Sequence, residues 1–320
     1  MSETVTRLAP SPTGALHLGN VRTFVLNALL ARQGGWRMLL RVEDLDSPRV
    51  KAGAAEGMIE ELRWLGLAWE GPAVWQSSRR QAYRAAWERL VRGGWAYPCT
   101  CSRQDVQSAA SAPHGEEAQA VYPGTCRGKS GHLPFSAAEN GRSPDSPSAA
   151  WRVRVDERPI VVRDEFAGQR SFDLSRTCGD FVVRTRQGEA AYQLAVVVDD
   201  AEAGVNAIVR GDDLLESAAR QIHLRRLLGI GQEVRYWHLP LVVGPDGRRL
   251  AKRHGDTRLA HYRAAGATRQ RILGLVGYWS GLLPHRQEAD CEELTRLFDL
   301  GKVPGNPVVF STEDDAFLMG

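Results

Sequence analysis

Apolar positions change their period several times along this chain of 320 residues, and each change marks an element. The opening "TVTRLAP" alternates and predicts a short strand. Residues 20–33 instead place Val21, Phe24, Val25, Ala28 and Leu29 on one stripe at helical spacing. "WRMLLRVED" predicts a second strand, buried on at least one face. Helices follow over 52–65, with Met58, Ile59, Leu62 and Leu65 inward, and over 78–92, with Tyr83, Trp87, Leu90 and Val91 inward. Strand, helix, strand and helix in that order predict a parallel sheet with crossovers.

From Cys99 to Ala150 the period is lost. "SAASAPHGEE" and "KSGHLPFSAAENGRSPDSPSAA" are rich in Ser, Ala, Pro and Gly, and the segment reads as an insertion, partly loop, in the α/β unit. Residues 151–186 then alternate like antiparallel strands, with Trp151, Val153 and Val155 on one face and short apolar cores at 160–162 and 181–183. "AYQLAVVVDD" is nearly continuously apolar and predicts a central parallel strand. "NAIVRGDDLLESAARQIHLRRLLG" predicts a strand, an acidic helix start at Asp212 and Asp213, and a helix stopped by Gly229. "YWHLPLVVGPDGRRLAKRHG" adds a strand, a Pro-Asp-Gly turn and a basic loop. The 67 residues after Arg253 predict one helix, over 269–280, and a polar tail.

With 43% hydrophobic and 25% charged residues, the composition is that of a globular protein with a sizeable core. A formal charge of +3 excludes an all-over basic coat for nucleic acid and leaves only local patches. The first ten residues lack the basic and apolar regions of a leader, and no apolar run approaches the ~18 residues of a spanning helix. The expectation is a soluble cytoplasmic protein with no membrane partner. Of five cysteines, Cys99, Cys101 and Cys126 cluster while Cys178 and Cys291 stand alone, which favours a metal over a disulfide framework.

Three segments carry candidate chemistry. In "RLAPSPTGALHLGN", Pro10, Pro12 and Gly14 impose irregular backbone between strand and helix, and Gly19 allows close approach of another group. A helix start at that point offers free N–H groups and a positive dipole end to phosphate, with His17 and Asn20 as added donors. Taken alone, a proline-rich turn explains the stretch as well. In "RRLAKRHG", Arg248, Arg249, Lys252, Arg253 and His254 make either a solvated basic surface or a counter-charge for departing pyrophosphate. Cys99 and Cys101, then Tyr122 and Cys126 after a 20-residue gap, give two short arms able to close on one tetrahedral ion. Three thiolates suit zinc; Tyr122, His114 and His132 stay open as the fourth ligand, and free buried cysteines are the plain alternative. Asp199, Asp200, Asp212 and Asp213 look like an acidic cluster, but the latter pair reads as a helix start.

H-L-G-N at His17–Asn20 resembles the first signature loop, and R-L-A-K-R at Arg249–Arg253 the second, of class I aminoacyl-tRNA synthetases. "RLAPSPTGALHLGNVRTFVLNALLAR" and "LLRVEDLDSPR" are similar to the glutamyl branch, and the likeness runs from Arg7 to about Gly255. Enzymes that charge tRNA(Glu) carry a large anticodon-binding part after the second loop, which 67 residues cannot supply. With the Cys-x-Cys…Tyr-x-x-x-Cys element, the chain resembles the glutamyl-Q tRNA(Asp) synthetases, a family that attaches glutamate to the queuosine base in the anticodon of tRNA(Asp).

That resemblance implies an α/β fold: a class I Rossmann-like parallel sheet, an inserted zinc-bearing α+β subdomain and a short helical C-terminal part. The implied division is 1–98 and 187–254 for the two catalytic halves, 99–186 for the insertion and 255–320 for the C-terminal region. It implies Arg7, Leu8, Ala9, Pro10, Ser11, Glu43, Tyr192 and Arg210 as glutamate contacts, with Arg7 on the side-chain carboxylate and Glu43 on the ammonium. His17, Gly19, Asn20 and Lys252 are the implied ATP contacts, of which His17, Asn20 and Lys252 serve catalysis. Zn2+ is implied on Cys99, Cys101, Tyr122 and Cys126, and ATP enters with Mg2+ as substrate beside L-glutamate and queuosine-containing tRNA(Asp). A monomer is expected.

Blander roles exist for the same residues: a surface ion pair for Arg7 and Glu43, a core aromatic for Tyr192, a partner of Asp212 for Arg210. Arg249 and Ala251 stand where the second loop of the family has lysine and serine, so the charge is kept and a hydroxyl donor is lost. Two other functions fit this pattern: a truncated tRNA(Glu)-charging enzyme, and a non-catalytic paralogue, which is expected to have lost His17 or Lys252. Both are present.

Overall fold

The computed structural model describes residues 3–12, 15–45, 52–109, 121–128, 149–248, 250 and 255–320. Strand β1 (Val5–Leu8) runs parallel to β2 (Arg37–Val42), with Arg7 opposite Leu39, and helix α1 (Leu18–Gly34) crosses between them. After α2 (Ala54–Trp64), the two-residue β3 (Val74–Trp75) extends the sheet on the far side of β2. Helix α3 (Arg80–Arg92) buries Tyr83, Trp87 and Leu90, as its spacing predicts.

Strand β4 (Ala96–Cys99) leads into α4 (Arg103–Ala109), and β4 pairs antiparallel with β5 (Ala150–Val153). A hairpin follows, β6 (Ile160–Asp164) with β7 (Gly168–Phe172), then α5 (Leu174–Thr177) and β8 (Phe181–Arg184), which closes on β5. Residues 151–186 therefore serve two sheets: β4, β5 and β8 form one, while β6 joins a second sheet in parallel.

The apolar run at 191–200 is a helix, α6 (Tyr192–Glu202), and not the central strand expected from its composition. Gln193 to Asp200 are all buried, so the segment has no solvent face and its hydrophobic pattern carries no period to distinguish strand from helix. The parallel strand is instead the next segment, β9 (Ala207–Gly211), at the end of its four-stranded sheet, followed by α7 (Leu215–Leu227) and β10 (Arg235–Leu239). Strand β10 lies parallel to β9 on one side and to β6 on the other. The two parallel sheets meet at Asn206, whose amide N–H donates to Val5 O (3.0 Å) while its Oδ1 accepts from Val5 N (2.9 Å). Along β10, Trp237 and Leu239 enter one hydrophobic core and Tyr236 the other, so the sheet is covered on both faces.

Beyond β11 (Val242–Val243) come α8 (Leu259–Ala264), α9 (Arg269–Trp279), α10 (Cys291–Leu297), β12 (Val308–Val309) and α11 (Thr312–Met319). The stretch after 280, expected as a polar tail, instead buries Leu294, Phe298, Val303, Phe310 and Leu318 in the core under α1, and β12 pairs with β11. Its apolar residues are too widely spaced to show a period, yet they pack; Ser311 and Asp314 close a capping box that starts α11. Among the described residues no helix is long and apolar enough to cross a membrane.

Candidate active site

The chain leaves β1 toward β2 and leaves β9 toward β10, on opposite sides of the line where β1 and β9 stand together. In a parallel sheet that reversal opens a crevice at the carboxyl ends of the strands. A cavity of about 390 Å³ lies there. Arg7, Ala9, Pro10 and Ser11 line it from β1 and the turn beyond, His17, Gly19 and Asn20 from the start of α1. Glu43 reaches it from the end of β2, Tyr192 from the start of α6, and Arg210 and Gly211 from β9. Of the residues singled out in the sequence, Leu8 does not line it: its side chain is fully buried in the core. Lys252, with Arg249, Ala251, Arg253 and His254, lies outside the described residues, as do Gly14, His114 and His132.

The floor of the cavity is a network of buried charge. Arg7 Nε donates to Asp200 Oδ1 at 3.3 Å, Arg41 Nη1 donates to the same oxygen, and Arg41 Nη2 donates to Glu43 Oε1 at 2.9 Å. The mutual Arg7–Glu43 pair is thus not formed among these contacts; each finds another partner. Burial alone would raise the pKa of the Asp200 carboxyl, but the charges of Arg41 and Arg7 outweigh it and hold the group below the usual range. Glu43 is fixed through its backbone, its N–H donating to Pro10 O (2.9 Å) and its carbonyl accepting from Ser11 Oγ (3.3 Å). Asn27 of α1 donates to Arg7 O at 3.0 Å. Asp199 is turned away, onto Arg79 Nε (2.6 Å), Gln76 (2.8 Å) and Tyr83 OH (2.8 Å). Arg41 and Asp200 were not assigned a role from sequence; a pattern that shows Arg41 exists, since Arg41 and Glu43 stand two apart and so share one face of the chain at the end of β2.

Arg210 does not pair with Asp212. Its Nε donates to His238 Nε2 (2.9 Å), Nη1 to Gln221 Oε1 (3.0 Å) and Nη2 to Leu214 O (3.3 Å). Gln221 in turn donates to Gln193, which donates to Ser217, each at 3.0 Å. Tyr192 is 38% exposed at the cavity edge rather than packed in the core.

His17 sits immediately before α1 and bridges antiparallel to Arg258, while Leu18 N–H donates to Thr257 O at 3.0 Å. The residues following the basic stretch are thereby tied to the start of α1. A Cβ on Gly19 would come within 3.1 Å of the His17 ring, so the glycine makes room for the imidazole.

Away from the cavity, the Sγ atoms of Cys99, Cys101 and Cys126 all lie within 4.8 Å of one another. Tyr122 OH accepts from Cys126 N (2.9 Å) and from Cys99 Sγ (3.4 Å), and Cys99 Sγ accepts from Arg152 Nε at 3.3 Å. Burial opposes ionisation of Cys126, but hydrogen bonds at Thr100 and Tyr122 bring its thiol down to about 7. Soft sulfur donors converging in this way fit a metal ion.

The family model for the catalytic domain of class I tRNA synthetases (E and Q) matches residues 3–314. The glutamyl-Q tRNA(Asp) synthetase of Symbiobacterium thermophilum is 45% identical over 98% of both chains. That of Rhodopirellula baltica is 44% identical over 90% of this chain and 88% of its own. A crystal structure of the glutamate-tRNA synthetase from Elizabethkingia anophelis superposes with a TM-score of 0.81 at 26% identity, covering 99% of this chain and 70% of that one. This chain belongs to the class I tRNA synthetases, in the family of the glutamyl-Q tRNA(Asp) synthetases.

Proposed function

We infer that the chain activates glutamate with ATP and transfers it to the queuosine base of tRNA(Asp). The observation that carries this reading is one cavity lined both by Arg7, Arg210 and Glu43 and by the His17–Asn20 start of α1. Glutamate brings two carboxylates and an ammonium, and these residues offer two guanidinium groups and a carboxylate. Arg7 takes the side-chain carboxylate, Glu43 the ammonium, and Tyr192 and Arg210 complete the contacts, with Ala9 and Ser11 shaping the wall. The α1 N-terminus, His17 and Asn20 take the ATP phosphates.

The α-carboxylate of glutamate attacks the α-phosphate of ATP, forming glutamyl-adenylate and releasing pyrophosphate. The nucleophile is already ionised, so no protein base is required; catalysis is positioning plus charge stabilisation. Lys252 meets the charge growing on pyrophosphate. Support for that role comes from its neighbours: Leu250 is anchored in the core, and Thr257 is bonded to Leu18 beside His17. A hydroxyl of the queuosine cyclopentenediol then takes the glutamyl group and AMP leaves.

Cys99, Cys101 and Cys126, with Tyr122 as fourth ligand, would hold a structural zinc that ties the end of β4 to the 121–128 segment. The catalytic unit is then 1–98 with 187–254, the insertion 99–186 and the C-terminal region 255–320. Glutamate-dependent ATP–pyrophosphate exchange without tRNA, followed by labelled glutamate and total tRNA, tests the reading. Label is expected on tRNA(Asp) that carries queuosine and not on tRNA(Asp) that lacks it; label on the 3′ end of tRNA(Glu) overturns it.

A further inference from the structure

Arg210, His238 and Asp164 come from three adjacent strands, β9, β10 and β6. His238 stands directly opposite Arg210 in the β9–β10 register. The side chains of His238 and Asp164 are both completely buried. His238 Nδ1 lies 2.6 Å from Asp164 Oδ2, and His238 Nε2 lies 2.9 Å from Arg210 Nε.

A guanidinium carries only donors, so the contact with Arg210 requires a lone pair on His238 Nε2. With Nδ1 against the Asp164 carboxylate, this assigns the single proton of the neutral ring to Nδ1, donated to Asp164, and leaves Leu214 O, which also stands by the ring, to Arg210 Nη2. The carboxylate is itself fixed, Oδ1 accepting the N–H groups of Phe166 (2.9 Å) and Ala167 (2.7 Å), and both oxygens facing His238 N at 3.2 Å. Tyr236 stacks on the imidazole, with ring centroids 5.9 Å apart and planes within 16°, and so holds the ring plane. The result is a directional chain: a carboxylate that selects the tautomer, an imidazole that accepts, and a guanidinium that lines the substrate cavity. Among the described residues, three of the five N–H groups of Arg210 are committed, to His238, Gln221 and Leu214, and one on each Nη stays available, the number a carboxylate accepts.

We propose that Asp164 and His238 are positioning residues for glutamate binding: together they orient the Arg210 guanidinium so that its remaining N–H groups face the amino-acid substrate. This rests on Arg210 being a glutamate contact. Neither residue is among those lining the cavity, and the aligned acceptor on His238 is the element that cannot be lost.

Three variants and one spectroscopic measurement test this. His238→Phe removes the acceptor, and His238→Gln keeps a side-chain carbonyl in its place. Asp164→Asn can present its own N–H to Nδ1, moving the ring proton to Nε2, where it opposes Arg210 donor to donor. In glutamate-dependent exchange, His238→Phe and Asp164→Asn are expected to raise the KM for glutamate about tenfold or more while leaving the KM for ATP unchanged. His238→Gln is expected to recover most of that loss. Nitrogen-15 NMR of histidine-labelled wild-type protein is expected to show His238 protonated on Nδ1 and bare on Nε2, and Asp164→Asn to reverse this. A wild-type proton on Nε2, or folded His238→Phe and Asp164→Asn with glutamate KM within twofold of wild type, overturns the proposal. Wild-type protein without glutamate-dependent exchange would instead overturn the activity reading, while the tautomer measurement still judges the geometry. Should His238→Phe fail to fold, the near-isosteric Asp164→Asn and the wild-type spectrum decide.

Discussion

Replacing Asp200 by asparagine keeps the shape of the side chain and removes one charge from between two buried guanidinium groups. Side-chain exposure is 4% for Asp200, 6% for Arg7 and 5% for Arg41, so solvent cannot take over the lost interaction. Arg41 keeps Glu43 at 2.9 Å and Asp199 at 3.9 Å, but Arg7 loses the carboxylate it contacts. Breaking a buried pair by removing one partner costs about 3–5 kcal/mol, because the other charge remains buried. With Arg41 still compensated, the expected loss lies at the lower end, about 3 kcal/mol. Urea unfolding followed by the fluorescence of the chain's nine tryptophans measures it: the midpoint should fall with an unchanged slope. Combining Asp200→Asn with Arg41→Met should be less damaging than the sum of the singles, with a coupling of at least about 1 kcal/mol, since the two side chains share a bond. A loss below about 1 kcal/mol for Asp200→Asn, or strict additivity, would refute the view that this charge organises the cavity floor.

Purified protein should carry about one metal ion per chain, read by elemental analysis, and Cys126→Ser should lower that content; a metal-free wild-type protein would reject the thiolate site. Gly179→Ala forces a side chain onto a backbone at φ +65°, with its Cβ 2.3 Å from Tyr122 O, and should cost more than about 1 kcal/mol while speeding hydrogen exchange across 121–128. Burial holds the pKa of both His238 and His223 below the ordinary value of 6.5. As pH falls below 6.5 the unfolded chain therefore takes up protons that the folded chain does not, and stability should fall. The urea midpoint should be lower at about pH 5.5 than at about pH 7.5, and a flat or rising midpoint toward acid would contradict it.

Local periodicity was enough for α1, β2, α2 and α3, because each has one buried and one wetter face and so writes its geometry into residue order; β1 is buried at all four positions and is legible only from its alternating residue types. It failed at 191–200 for the opposite reason. With Gln193 to Asp200 all buried, nothing in the order of residues distinguishes a strand inside a sheet from a helix laid over it. The segment after 280 failed through sparseness: beyond the adjacent Leu282 and Leu283, its buried residues Ala289, Leu294, Phe298, Val303, Phe310 and Leu318 stand four or more positions apart. The Cys99, Cys101 and Cys126 cluster was legible because its three thiols stand close together in sequence as two short arms, a spacing that suits one ion.

The candidate site divides along the same line, between groups that line the cavity and groups that hold those groups in place. Arg7, Glu43, Tyr192 and Arg210 fall in short segments with a recognisable order, and the fold gathers them on one cavity. Arg41, Asp200, His238 and Asp164 act through pairs formed across strand and helix crossovers: 193 positions separate Arg7 from Asp200, 159 separate Arg41 from Asp200, and 74 separate His238 from Asp164. No window of sequence contains such a pair, so no local pattern can display it. The misassigned segment shows what that costs. As a strand, 191–200 would alternate its side chains, sending Asp199 and Asp200 to opposite faces of a sheet. As a helix it brings them about 100° apart at one end, so that Asp199 binds Arg79 and Tyr83 while Asp200 takes Arg7 and Arg41. The two aspartates that close the apolar run therefore receive distinct partners from the helical geometry itself, and Arg7 and Arg41, buried as deeply as they are, owe their shared counter-charge to it.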